Sequence, residues 1–212
     1  MSKTKKLLIA AVCLVAILTT AVVGTIAWLT DKTATVTNTF SPSNIDITLT
    51  EGAFNGKMVP GVKIAKNPVV TVKANSEACW LFVKIDENLG AWTANGEPFT
   101  NYLAYSVITG TDGWTKLSDG IYYRQVAAST ADQSFNILGA GTLKLNDVVY
   151  SWDANQVLVR PDVTKADMDK LYVAGAVQPT LSFTAYAIQQ ESFGTAAAAW
   201  AEIETSYPTQ NS

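Results

Sequence analysis

Catalysis by side chains needs a base, a nucleophile or a metal, and this chain of 212 residues contains no histidine at all. That removes the commonest general base, the commonest metal ligand and the one side chain that titrates near neutrality unaided. Serine and cysteine nucleophiles lack their usual imidazole partner. Cys79 alternates into an apolar stretch and reads as a small buried hydrophobe rather than a reactive thiol. Carboxylates are scattered along the chain, so no glycosidase-like pair stands out. Asp112, Asp119, Asn146-Asp147 and Asp153-Asn155 offer oxygen ligands but not the spacing of an EF-hand loop, and turn chemistry is the better reading. No catalytic residue, metal site or cofactor is assigned.

The six tryptophans suggest a second chemistry, stacking on sugar rings. Trp80 reads as core, Trp200 as a helix anchor and Trp28 as the first residue after a cleavage point. Trp92, Trp114 and Trp152 lie beside Gly, Asn or Asp and are the candidate glycan contacts. Packing beneath long loops is the competing and favoured reading of these three.

A third kind of chemistry is backbone recognition. Thr33, Thr35, Thr37 and Thr39 alternate with Ala34, Val36, Asn38 and Phe40, a threonine-rich strand of high β propensity with one modestly apolar face. Such a strand can add to the open sheet edge of a neighbouring molecule. A head-to-tail contact that does not close then builds a filament. Folding back onto its own sheet is the alternative.

Export is written before it. Lys3, Lys5 and Lys6 precede an uncharged run of 24 residues, Leu7 to Thr30, as in a secretory leader with an N-terminal signal helix. Thr25 and Ala27 supply the small −3 and −1 side chains that favour cleavage before Trp28, although the run is also long enough to stay as a membrane anchor. Cys13 lies in mid-run behind Ala10, Ala11 and Val12, a poor lipidation site. Removing residues 1–27 takes away three of the 15 basic residues and leaves 12 against 18 acidic ones, a net −6. No basic cluster remains, so nucleic acid is not an expected partner. Only Cys79 remains too, so no internal disulfide can form.

The rest of the chain reads as one β-rich domain. Ile45 to Thr50, Val70 to Lys73, Leu103 to Val107, Ile121 to Val126, Ser134 to Leu138, Thr142 to Leu145, Gln156 to Val159 and Leu181 to Ala185 carry strand patterns. The clearest runs from Ala78 to Ile85. Cys79, Leu81, Val83 and Ile85 point one way and Trp80, Phe82 and Lys84 the other, which predicts a central strand covered on both faces. Roughly ten strands are expected, with short helices over Thr164–Tyr172 and Thr195–Glu204. The fold class is all-β, a jelly-roll-like antiparallel sandwich with one or two short helices. The expected divisions are 1–27 leader, 28–43 N-terminal strand segment, 44–206 sandwich and 207–212 polar tail, which lacks a sortase-type sorting signal.

The stretch Gly24-Thr-Ile-Ala27-Trp-Leu-Thr-Asp31, followed by Asn38-Thr-Phe40 and Asn44-Ile-Asp-Ile-Thr-Leu49, resembles the TasA/camelysin family. The likeness continues more loosely through Pro60-Gly61 and Cys79 to Asp86, and returns at Leu181 to Gln189. It implies processing by the dedicated ER-type signal peptidase SipW. It also implies a jelly-roll subunit that assembles into extracellular fibres of the biofilm matrix of a Gram-positive bacterium. The expected partners are that peptidase, further copies of the chain or related matrix proteins, and the membrane only before cleavage. Camelysin relatives have been classed as metallopeptidases, but without a His-Glu-x-x-His helix that label does not carry over. A surface adhesin is the other reading.

Overall fold

A computed structural model describes residues 44–52, 57–88, 92–94, 97–99, 102–171 and 179–207. All fall within the second of the chain's two units, Pro42–Ser212. The leader, the Thr25/Ala27/Trp28 cleavage point and the strand Thr33 to Phe40 lie outside the described residues.

The architecture is that of an antiparallel β-sandwich. At its centre is the ten-residue strand β4 (Cys79–Asn88). It pairs on one side with β10 (Ile121–Val126) and on the other with β16 (Thr180–Gln189), and β9 (Thr115–Ser118) completes a sheet in the order β16-β4-β10-β9. A second sheet joins β1 (Ile47–Thr50), β3 (Val69–Val72) and β11 (Gln133–Asn136) in the order β1-β3-β11. Smaller sheets pair β2 (Lys63–Ala65) and β7 (Leu103–Ala104) with β15 (Gln156–Val159), β8 (Ser106–Val107) with β12 (Leu138–Gly139), β13 (Gly141–Leu145) with β14 (Val148–Trp152), and β5 (Trp92–Ala94) with β6 (Glu97–Phe99).

The alternation along β4 decides the layering. Cys79, Leu81, Val83 and Ile85 face the main core, where they meet Val70 and Val72 of β3, Val157 and Val159 of β15, and Trp114. Trp80 and Phe82 face the opposite side and are covered by a helix, so the expectation of apolar cover on both faces is met. Each fully buried aliphatic side chain contributes about 1.5–3 kcal/mol.

Two helices occur among the described residues. In α1 (Lys165–Lys170), Thr164 accepts from the Asp167 amide at 3.2 Å, and the Asp167 carboxylate accepts from the Thr164 amide at 3.1 Å. This is the capping box expected from their spacing. In α2 (Ala196–Ser206), the Thr195 hydroxyl accepts from the Ala198 amide, and Ala196, Ala199, Trp200 and Ile203 form the buried face. The helix stops at Tyr207, which leaves helical geometry (φ −125°, ψ 66°) as the residue before Pro208 is biased to do.

Among the described residues sixteen strand segments are found where about ten were expected. The excess comes from corners. Leu103–Val107 breaks at Tyr105 because β7 pairs with β15 while β8 pairs with β12. Ser134–Leu138 divides in the same way, β11 staying with β3 while β12 turns to β8. Strands that pass between sheets in this manner close the corners of a sandwich. At the β9–β10 turn Gly120 has φ +72°, and a Cβ there would lie 2.7 Å from the Ile85 carbonyl oxygen, so glycine is required twice over.

Candidate assembly edge and binding cleft

Among the described residues β1 pairs only with β3, and β16 only with β4. These two edge strands come together at one side of the sandwich. Ile47 and Leu49 from the first, Ile45 just ahead of it, and Phe183, Ala185 and Ala187 from the second are half-buried against the main core. The start of the described chain is fastened here. The Glu77 amide donates to the Asn44 carbonyl at 3.0 Å, and the Asp46 amide donates to the Ser76 hydroxyl at 3.1 Å. Lys66 pairs with Glu51 and lies 5.5 Å from the centre of the Phe183 ring, a cationic side chain of the kind that guards sheet edges.

The three candidate tryptophans do not form an exposed row. Trp114 is 1% exposed, just ahead of β9, and its indole N–H donates to the Asn136 carbonyl at 2.9 Å. The Arg124 guanidinium lies over both its ring (5.7 Å) and that of Phe135 (3.8 Å). Trp152 is 4% exposed at the end of β14, where it packs on Gly141 across the β13–β14 hairpin. Trp114 and Trp152 are thus packed, as the favoured reading had them and unlike the glycan-contact alternative, and Trp152 lies in a strand rather than a loop. Trp92 opens β5 opposite Phe99. Trp80 and Trp200 hold the roles expected of them, core and helix anchor.

Trp152 nevertheless forms part of the wall of a cleft of about 580 Å³. Glu87, Tyr105, Ser106, Tyr122, Thr142 and Arg160 share that wall. Tyr105 donates its hydroxyl to the Glu87 carboxylate at 2.8 Å. Burial, then the carboxylate, push the phenol well above its ordinary range, so it remains a neutral donor. Arg160 grips Asp162 through Nε and Nη2 at 3.1 and 2.9 Å. Nothing in the sequence joins these residues. They come from six elements and connections, and only the threonine, serine and tyrosine of alternating strands mark them in advance.

Cys79 is buried in the main core, and desolvation raises its thiol to about 11. This is the inert thiol expected. Asn146 and Asn155 take left-handed conformations (φ 50° and 61°), the turn role expected of those Asp/Asn-rich loops. No group of three or more Cys, Asp or Glu is disposed to hold a metal among the described residues. None of their helices is long and apolar enough to cross a membrane. Compared with protein-family models, with curated proteins and with solved structures, the chain matches none.

Proposed function

We propose that the protein is an exported structural subunit of the TasA/camelysin type, released by a SipW-type signal peptidase after Ala27. It is a jelly-roll domain that joins copies of itself into biofilm-matrix or cell-surface fibres by donating the strand Thr33 to Phe40. The observation that carries this reading is the seam between β1 and β16. Two strands that are edges among the described residues carry half-buried apolar side chains there, and the first described residue, Asn44, which is fastened at this side, lies four residues beyond Phe40. A threonine ladder added at such an edge gains backbone hydrogen bonds, and its Ala34, Val36 and Phe40 side chains find apolar neighbours. The reading assigns no catalytic residue and no cofactor. The burial of Trp114 and Trp152 weighs against an adhesin with an exposed aromatic row.

Crosslinking tests it. Cysteine is placed at Thr33, Thr35, Thr37 or Thr39 in one chain and at Thr184, exposed on β16, in another, and the two chains are mixed and oxidised. Strand donation predicts an interchain disulfide for at least one threonine position. Crosslinking only when both cysteines share one chain would show that the strand folds back, and would refute donation.

A further inference from the structure

We infer that the turn Val59-Pro60-Gly61-Val62, with Lys57 and Lys63 on either side of it, is a docking tip that sets its two valines into the surface of an anionic lipid bilayer. Five large apolar side chains are exposed among the described residues, and two of them, Val59 at 49% and Val62 at 46%, stand at the ends of this one turn. Pro60 and Gly61 (φ +79°) make its corner, and the Val62 amide donates to the Val59 carbonyl at 3.0 Å. The turn is also fastened to β15. The Gly61 amide donates to the Val159 carbonyl at 2.9 Å, and the Val159 amide donates to the Val62 carbonyl at 3.0 Å. The apolar tip is therefore held in a fixed shape, so little ordering entropy is lost on docking.

Charge selects the occupant. Lys57 and Lys63 are exposed, and neither joins an ion pair among the described residues. Glu51, ahead of the turn in sequence, and Asp162, next to the Pro161 that Gly61 approaches, are held by Lys66 and Arg160. Two unpaired cations around an apolar tip match anionic headgroups, with the lysine stems and the valines entering the interface. The other exposed pair, Val148 and Val149, lacks this pattern, since it follows Asp147 and has only Lys144 across the hairpin. The net −6 of the chain without residues 1–27 is screened beyond about 8–10 Å at physiological salt, so the local cations govern the contact. The exported reading supplies proximity, because the uncharged run that ends at Thr30 keeps the chain at a bilayer until cleavage. Strand donation is not required, since the turn belongs to neither β1 nor β16.

The test sediments the chain lacking residues 1–27 with vesicles of dioleoylphosphatidylglycerol or of dioleoylphosphatidylcholine at low salt, so that the leader plays no part. Partition onto the anionic vesicles alone is expected. The double variant Lys57→Gln/Lys63→Gln should weaken it roughly thirtyfold, the worth of two lysines beside an anionic surface. Val59→Ser/Val62→Ser should weaken it at least about tenfold, and unchanged melting temperatures show that both variants remain folded. A second readout places a polarity-sensitive fluorophore on Val59→Cys, the buried Cys79 being protected from the label. Its emission should move to the blue with anionic vesicles. No partition onto the anionic vesicles, equal partition onto both kinds, full partition in either double variant, or an unshifted fluorophore would each overturn the inference.

Discussion

Truncating Trp200 to alanine tests how the second face of the central sheet is stabilised. Trp200 is 8% exposed on α2, with its ring 5.2 Å from Phe82 and 5.5 Å edge-on from Tyr186. Removing a buried tryptophan costs about 3–5 kcal/mol through lost transfer free energy and the cavity left behind, and the two ring pairs place this site toward the upper end. Against a typical stability of about 5–15 kcal/mol that is a large fraction. For a domain of this size it corresponds to a fall in Tm of roughly 6–20 °C. Urea unfolding followed by near-UV circular dichroism measures it, and Trp200→Phe, which keeps a ring between Phe82 and Tyr186, is expected to lose less than half as much. A change below about 1 kcal/mol in Trp200→Ala would mean that α2 does not seal this face, and the two-sided account of β4 would fail.

Three further outcomes follow from local geometry. Gly120→Ala places a side chain at φ +72° and 2.7 Å from the Ile85 carbonyl oxygen, and is expected to cost at least about 2 kcal/mol in chemical denaturation; a neutral result would contradict the β9–β10 turn. With its thiol raised to about 11 and buried, Cys79 should resist a disulfide reagent at pH 8 in native buffer and react fully in denaturant, and rapid native labelling would show an open core. Burial of Asp167 opposes its charge, but Lys170 and the Thr164 hydroxyl and amide outweigh it and hold the carboxyl below its ordinary value. A lowered folded pKa stabilises above the unfolded value near ~4, and that stabilisation is lost as pH falls through the folded pKa. Asp167→Asn should therefore lower Tm at pH 7 by an amount that shrinks toward pH ~2, and a Tm difference that stays constant over that range would refute the assignment.

What the sequence reveals here depends on how local the cause is. The two-sided strand β4 is legible because Cys79 to Ile85 alternates apolar groups that point both ways, and no distant residue is needed to read it. The helix starts are legible because Thr164 and Thr195 cap their own first turns. By contrast, the fate of Trp114 is set by the Asn136 carbonyl and by Arg124, and that of Trp152 by a glycine across a hairpin, so neighbours such as Gly and Asp suggested loops where packing prevailed. The strands that change sheets at Tyr105 and at Ile137 read as continuous, since nothing in their alternation records a change of partner. The cleft around Trp152 is less legible still, because Glu87, Ser106, Tyr122 and Thr142 meet only through the sheet order.

Strand donation is the central claim, and its most direct measurement compares two purified chains, one beginning at Trp28 and one at Asn44, by light scattering and electron microscopy. Filaments from the longer chain and monomers from the shorter, at equal concentration, are the predicted result. Monomers from both, or filaments from both, would contradict assembly through the strand Thr33 to Phe40.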